Sequence, residues 1–538
     1  MSDPSTDSAV PAVSADSAVP ADSAVAGSRP GPARRTIHQA VTRQAWQRPD
    51  AVALVVKGRR IDYAELDAAA DAYAAALQAR GVGPGRLVPV LLPRSPELVA
   101  VLLAVLKCGA GYSALDHRWP AERVAAVVGA LDAPLLVAER AQPGVEVPLW
   151  TPEPGLSAAA RSGARPRPVA VSPDDVAMVF FTSGTTGTPK GVLSPHRATT
   201  RLFEGRTFAD FGRGRVMAQA APVPWDAFAL ELWGSLTTGG TCVIVEDDYL
   251  FAGDLRELVG SARVDTLWLT ASLFNLFVDE DVDCFDGVRQ VMTGGERLSV
   301  PHVRAFQERH PQIRLVNGYG PVESCVFVTT RAVRPADWAG TEGIPIGRPV
   351  PGTSVVLLDR GAPVPDGAPG EICVAGEGLA LGYLGDPAAT AEKFVTADVD
   401  GAATLLYRTG DLGRRDADGV LHYLGRADRQ IKISGYRVEP AEIEQVALGL
   451  PGLRECAVVP VPGANGGWDR LALFYRGDAA APEPAGLQRA LVDLLPHYMV
   501  PPTVRRLDAL PRTANGKLDQ TALLGSLEPA PEGSPSGT

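Results

Sequence analysis

Short apolar runs alternate with stretches of helical spacing through the middle of the chain. "RLVPVLL" (86–92) precedes "PELVAVLLAVLK" (96–107), "TCVIVE" (241–246) precedes "DLRELVGSAR" (254–263), and "VDTLWLT" (264–270) precedes "SLFNLFV" (272–278). Strand-length runs followed by helices imply crossover units, so this pattern predicts an α/β fold with mostly parallel sheets packed by helices. In the most apolar segment Ser95 and Pro96 read as an N-cap and first turn, and Gly109 as a stop. About a dozen apolar residues precede Lys107, too few to span a bilayer, so a buried helix is expected. Past residue 425 the pattern changes. "RQIKISGYRV" (429–438) is strand-like, "EPAEIEQVAL" (439–448) is helical, and "ECAVVPV" and "RLALFYR" are strands. The expected organisation is a low-complexity tail over 1–35, a large domain over 36–425, a hinge at 426–430, a small mobile α+β domain over 431–525, and a loose tail over 526–538.

Composition narrows the picture. The tail repeats "DSAVPA" at 7–12 and 16–21, without the basic start and continuous apolar core of a secretory signal. Hydrophobic content of 46% with 21% charged residues is ordinary for a globular chain. A net charge of -11 without a basic cluster argues against a nucleic-acid surface and against anionic membrane. The six cysteines lie far apart with no C-x-x-C pair, so neither a zinc site nor a disulfide framework is indicated and a cytoplasmic location is expected.

Candidate chemistry begins at "FFTSGTTGTPKG" (180–191). A Walker loop needs G-x-x-x-x-G-K-[ST]; counting from Gly184, the second glycine falls on Pro189, and Gly191 follows Lys190. "GVLSPH" then reads as a second strand, so the stretch is expected to be a loop between two strands. Backbone N–H groups of Gly184 and Gly187, with the hydroxyls of Thr182, Ser183, Thr185 and Thr186, are suited to wrap a phosphate, and Lys190 to follow it as a point charge. The bland alternative is a solvated Gly/Thr loop.

Further along lie "NGYGPVE" (317–323), "GEICVAGEGLALGYL" (370–384), "YRTGDL" (407–412), "GRADRQIKISGYRVEPAEIE" (425–444), "LPHYMVP" (495–501) and "NGKLD" (515–519); upstream lie "IDYAEL" and "LKCGAGYSALD". In order and spacing these closely resemble the signature motifs of the adenylate-forming superfamily, over about residues 37–525. The resemblance is to the amino-acid adenylation domains of nonribosomal peptide synthetases. It implies use of ATP and Mg²⁺. Asp411 would take the ribose hydroxyls and Arg426 would support the ribose or phosphate region. Tyr319 would stack on adenine, Asn317 would face its amino edge, and Gly294, Gly295, Glu296, Gly318 and Gly320 would line the nucleotide. Glu323 would hold Mg²⁺, a hard cation suited to carboxylate oxygen. The family usually has Thr where this chain has Val322, which puts one α-phosphate contact in doubt. Lys517 would be the catalytic cation bridging the substrate carboxylate and the α-phosphate. Asp428 matches the hinge, and Lys432 and Gly435 the segment that serves thiolation, with Gly435 beside a pantetheine tunnel.

Substrate choice is expected in "PWDAFALELW" (224–233). Asp226 alone reads as an N-cap; within the resemblance it would pair with a substrate ammonium. The matching pocket positions are Ala227, Leu230, Trp268, Met292, Gly294, Gly318, Val326 and Phe327, with Lys517 meeting the carboxylate. This lining has no polar side chain but an indole N–H and resembles valine-activating domains, with Gly294 and Gly318 expected to leave room for a branch. After "NGKLD" about twenty residues remain, so a free-standing enzyme loading a separate phosphopantetheinylated carrier protein is expected, with an MbtH-like helper as a possible further partner. The competing readings are an acyl- or aryl-CoA ligase, which would not need an acid at 226, and a catalytically silent ligand-binding relative.

Overall fold

Two mostly parallel sheets form where the crossover pattern predicts them. A computed structural model describes residues 36–183, 189–205, 208–339, 343–399, 401–463, 468–512 and 518–527. One sheet has nine strands. Its parallel centre runs Arg314–Tyr319, Gln290–Gly294, Thr266–Thr270, Val216–Gln219, Thr241–Ile244 and Val52–Val56, with antiparallel strands outside. The other has six strands, five of them parallel neighbours, closed by the antiparallel pair Val176–Thr182 and Lys190–Pro195. That pair is the two-strand frame expected around residues 180–191. Pro96–Lys107 is a buried helix; the Ser95 hydroxyl accepts from the Leu98 N–H at 3.1 Å, and Gly109 ends the turn at φ +73°. This helix, Ile37–Gln47, Tyr63–Gln78 and Asp226–Thr238 share one apolar cluster with strands of both sheets.

A third, wholly antiparallel sheet of six strands was not anticipated. It comprises Thr353–Asp359, Ala362–Pro363, Pro369–Gly376, Phe394–Val399, Ala402–Arg415 and Leu421–Arg426. Its local mark in "TSVVLLD" is a short apolar run, Val355–Leu358, and periodicity alone does not assign such a run to a sheet type.

The C-terminal residues form the small α+β domain. Leu453–Pro462, Trp468–Gly477 and Thr503–Arg506 make its sheet, against Pro440–Leu448 and Pro484–Leu494. "RQIKISGYRV" is not one strand but a hairpin, Ile431–Ile433 against Tyr436–Val438. Its two turn residues, Ser434 and Gly435, both have positive φ (50° and 82°), the geometry that matches strand twist in two-residue hairpins. Among the described residues no helix is long and apolar enough to cross a membrane.

Candidate active site

One corner of the site is built by strand register. Asp411 on Ala402–Arg415 lies directly across from Arg426 on Leu421–Arg426. Arg426 Nη1 donates to Asp411 Oδ1 at 2.5 Å, its Nε and Nη2 reach Asp428 at 2.7 and 2.8 Å, and Nη2 also reaches the Thr409 carbonyl at 3.1 Å. The Tyr319 hydroxyl donates to Asp411 Oδ2 at 2.6 Å. Burial, then the Asp411 charge, pushes the Tyr319 phenol well above its ordinary range, so it stays a donor. Gly410 is required here: at φ +74°, a Cβ would lie 2.9 Å from both Arg426 Nη2 and Asp428 Oδ2. Asn317 is buried with its amide donating to the Pro345 carbonyl at 2.8 Å.

Glu323 is fully buried. Arg437 of the small domain donates to both its oxygens at 2.9 Å, and the Tyr383 hydroxyl donates to Oε1 at 2.9 Å. Burial alone would raise this carboxyl; the Arg437 guanidinium overrides it and holds Glu323 below the usual carboxylate range. Lys190 sits with Nζ 5.6 Å from the Tyr383 ring centre and is paired in register with Thr182. The Ser183 hydroxyl donates to the Arg437 carbonyl at 2.9 Å. Gly184, Thr185, Thr186, Gly187 and Lys517 lie outside the described residues.

The Gly435 hairpin faces the same region. The Gly435 N–H donates to Glu296 Oε1 at 2.7 Å, and Ser272 donates to the other oxygen of Glu296. A Cβ on Gly435 would lie 2.5 Å from Thr270 Cγ2 and 3.1 Å from the Trp225 ring; one on Gly295 (φ +83°) would lie 3.6 Å from Gly435 Cα. Tyr436 meets Trp225 edge-on at 4.5 Å and stacks on Tyr498 at 3.8 Å. Lys432 is partly buried, and burial lowers its ammonium while Asp411 and Asp226 both act to raise it.

Asp226 does not cap its helix. Trp225 holds the N-cap position, and Asp226 is the first helical residue. Its Oδ2 accepts from the Val326 N–H at 2.8 Å, and no ion pair to it forms among the described residues. Burial raises its pKa, with the Val326 and Ala227 N–H groups opposing. Cys325 and Val326 both have positive φ (49° and 60°), so a β-branched residue is held in a strained conformation beside this carboxylate. Ala227, Leu230, Trp268, Met292, Val326 and Phe327 fall in one apolar cluster; Trp268 and Met292 are register neighbours. The expected room at Gly294 and Gly318 is not there. These residues pair across adjacent strands, and a Cβ at Gly294 would lie 2.1 Å from the Gly318 carbonyl oxygen. A Cβ at Gly318 would lie 2.2 Å from the Phe327 ring. The two glycines permit close packing rather than leaving a gap. A Cβ at Gly320 would lie 2.3 Å from the Val326 carbonyl oxygen, which ties that glycine to the same strained turn. Val322 opens a short helical turn, Val322–Ser324, and packs on the same cluster.

Sequence reasoning assigned no role to Arg437, Tyr383, Trp225 or Tyr436. All four sit inside quoted motifs, Arg437 and Tyr436 in 425–444, Tyr383 in 370–384 and Trp225 in 224–233, where only Trp225 was marked, as a flank of the Asp226 site.

Comparison with known proteins agrees with this geometry. The AMP-binding enzyme family matches residues 41–384, and the AMP-binding enzyme C-terminal domain matches 442–517. Tyrocidine synthase 3 of Brevibacillus parabrevis is 36% identical over 500 residues, covering 91% of this chain but 8% of its own length. Malpibaldin synthetase of Mortierella alpina is 38% identical over 518 residues, covering 94% of this chain and 9% of its own. The chain thus spans under a tenth of each of these curated relatives. A solved structure of holo-PA1221, an NRPS protein containing adenylation and PCP domains bound to a vinylsulfonamide inhibitor, superposes with a TM-score of 0.83 at 36% identity, covering 92% of this chain and 85% of that one. The chain belongs to the AMP-binding enzymes of the adenylate-forming superfamily and carries the fold of a nonribosomal peptide synthetase adenylation domain.

Proposed function

We propose that the protein activates a small aliphatic α-amino acid, valine-like, as its aminoacyl adenylate with release of pyrophosphate, and then passes the acyl group to the phosphopantetheine thiol of a carrier protein. The observation that carries this reading is Asp226, a carboxylate held by a backbone N–H at the edge of an apolar cluster and without an ion-pair partner among the described residues. A carboxylate so placed is completed by a substrate ammonium. An acyl- or aryl-CoA ligase has no use for it.

In this reading Asp411 takes the ribose hydroxyls, with Tyr319 and Arg426 fixing its orientation, and Lys517 bridges the substrate carboxylate and the α-phosphate. Magnesium, when bound, supplies charge neutralisation on the triphosphate. Glu323 would suit it as one hard oxygen ligand. Among the described residues no group of three His, Cys, Asp or Glu forms an all-protein cage. Arg437 holds both Glu323 oxygens in the present arrangement, so a metal at this carboxylate would have to displace it. This competition supports a two-station cycle. The small domain brings Lys517 to the ATP complex for adenylation and the Gly435 hairpin, with Arg437, for thioester formation. The seated Gly435 hairpin supports reading the arrangement described as the second station.

Amino-acid-dependent pyrophosphate exchange across the amino acids tests the proposal. Valine is expected to be the best substrate, with 2-aminobutyrate and isoleucine lower by roughly 10–200-fold, the usual cost of a methylene change. Serine, aspartate and lysine should be poor because the pocket offers no partner to a buried polar group. Isovalerate should fail because it leaves Asp226 unpaired. Strong activation of isovalerate, or of a charged or aromatic amino acid over valine, overturns the proposal.

A further inference from the structure

Away from the groups that face substrate, the two domains are joined by a second buried ion pair. Arg123, on the large-domain helix Ala121–Ala130, donates through Nη1 to Glu442 Oε1 at 2.9 Å; Glu442 is on the small-domain helix Pro440–Leu448. Both side chains are almost fully enclosed, at 6% and 2% exposure. The guanidinium also lies over the Trp119 ring, 5.2 Å from its centre.

We infer that Arg123 and Glu442 are positioning residues forming a latch that selects the thioester-forming orientation of the small domain. This rests on the two-station reading above. Each partner is anchored in its own core. Arg123 follows Trp119 and precedes Val124 and Val127 in one apolar cluster, while Glu442 lies between Val438 and Ile443 in another. Neither can follow the other when the domains part, so the pair exists in one orientation and is broken in any other. A contact that differs between two states shifts their populations; one that is equal in both does not.

The latch is also connected to the site. Tyr498 lies close enough to feel both charges, and it stacks on Tyr436 with planes 12° apart. Tyr436 meets Trp225, the N-cap residue of the Asp226 helix. Tyr498 thus stacks on the hairpin whose Gly435 and Arg437 reach Glu296 and Glu323. Among the described residues, two of the Arg123 donors, Nε and Nη2, are buried without an acceptor. A buried ion pair holds firmly only when its remaining hydrogen bonds are satisfied. This one is incomplete, which suits a joint that must open on every turnover.

The test compares the two half-reactions in Arg123→Gln, Glu442→Gln and the charge swap R123E/E442R. Pyrophosphate exchange with valine reads adenylation. Thioester formation with free pantetheine, above the uncatalysed rate, reads the second step. Exchange is expected to stay within about 2-fold while thioester formation falls roughly 10–100-fold in each single variant, as one partner of a buried pair is lost. The swap should recover most of that loss. Equal loss in both half-reactions, unimpaired thioester formation, or a folded swap variant no better than the single variants would overturn the latch. Should the glutamine variants not fold, Arg123→Lys carries the test. It keeps the charge but loses the planar fork over Trp119, and should show a several-fold loss confined to thioester formation; loss of both steps, or of neither, overturns the latch. Absence of amino-acid-dependent exchange in the unaltered protein would instead overturn the functional reading itself.

Discussion

The Asp411 corner and the interdomain seam both rest on buried charges, but they are made differently. At the corner, Asp411, Arg426 and Tyr319 are supplied by strands in fixed register, and each carboxylate oxygen has its donor in place. At the seam, Glu323 and Glu296 belong to the large domain, whereas the donors that fill them, Arg437 and the Gly435 N–H, belong to the small one. The Asp411–Tyr319 contact thus lies within the large domain, and Arg426 joins it to the hinge through Asp428. The seam exists only while the Gly435 hairpin is seated. In the proposed two-reaction cycle, the difference means that what both steps need sits on the sheet and what each step needs sits on the small domain.

Perturbations ought to respect that division. The largest effect is expected from Lys517→Ala, which removes the group proposed for adenylation. Pyrophosphate exchange should fall by on the order of 10²–10³-fold, as when one preorganised charge-stabilising group is lost. Capture of preformed valyl adenylate by pantetheine should be nearly unchanged; near-normal single-turnover adenylation would refute the assignment. At the corner, Asp411→Asn should raise KM for ATP roughly 10–100-fold, because hydrogen bonds to a charged group contribute about 1.5–3 kcal/mol. An unchanged KM for ATP would remove Asp411 from the nucleotide site.

A pH profile sharpens the comparison on the substrate side. Binding of an ammonium needs Asp226 ionised, and burial raises its pKa. The acid limb of kcat/KM for valine should accordingly lie above the range of an ordinary aspartate, about 3.9. It should vanish in Asp226→Asn together with most of the activity. The same limb persisting in that variant would place the titrating group elsewhere.

The smallest effect is expected from Glu231, deep in the Asp226 helix. Its carboxylate accepts the Ala220 and Ala221 N–H groups, yet burial pushes its pKa up to about 8. With the unfolded value near 4.5, the folded state holds the extra proton between those limits, so stability is full at low pH and declines as pH rises toward 8. Glu231→Gln should raise Tm by a few degrees at pH 9 and hardly at all at pH 5, with activity retained. Equal shifts at both pH values would mean that Glu231 is ionised in the fold.

The sequence carried the corner and the crossover sheets well and the seam poorly, for a physical reason. Parallel strands buried on both faces leave apolar runs such as "TLWLT", and Gly410 is demanded by its φ and its neighbours, so both leave local marks. Arg437 meets Glu323 and Arg123 meets Glu442 only after separate domains dock, and nothing local in either segment encodes that meeting. The glycines of the pocket were misread for a related reason. Gly294 and Gly318 looked like open space because they lack side chains, but the space is filled by a neighbouring carbonyl and by Phe327.

The most direct test of the two-station account is Gly435→Leu, with both half-reactions measured on one preparation. A side chain there meets Thr270 and Trp225 and must hold φ near +82°, so the hairpin cannot seat as it does now. The account predicts valine-dependent pyrophosphate exchange close to that of the unaltered protein and thioester formation with pantetheine reduced by roughly 10-fold or more, a split between the two steps that marks loss of one conformational station. Equal loss of both in a folded variant would contradict it, showing that Gly435 serves the fold and not the second reaction.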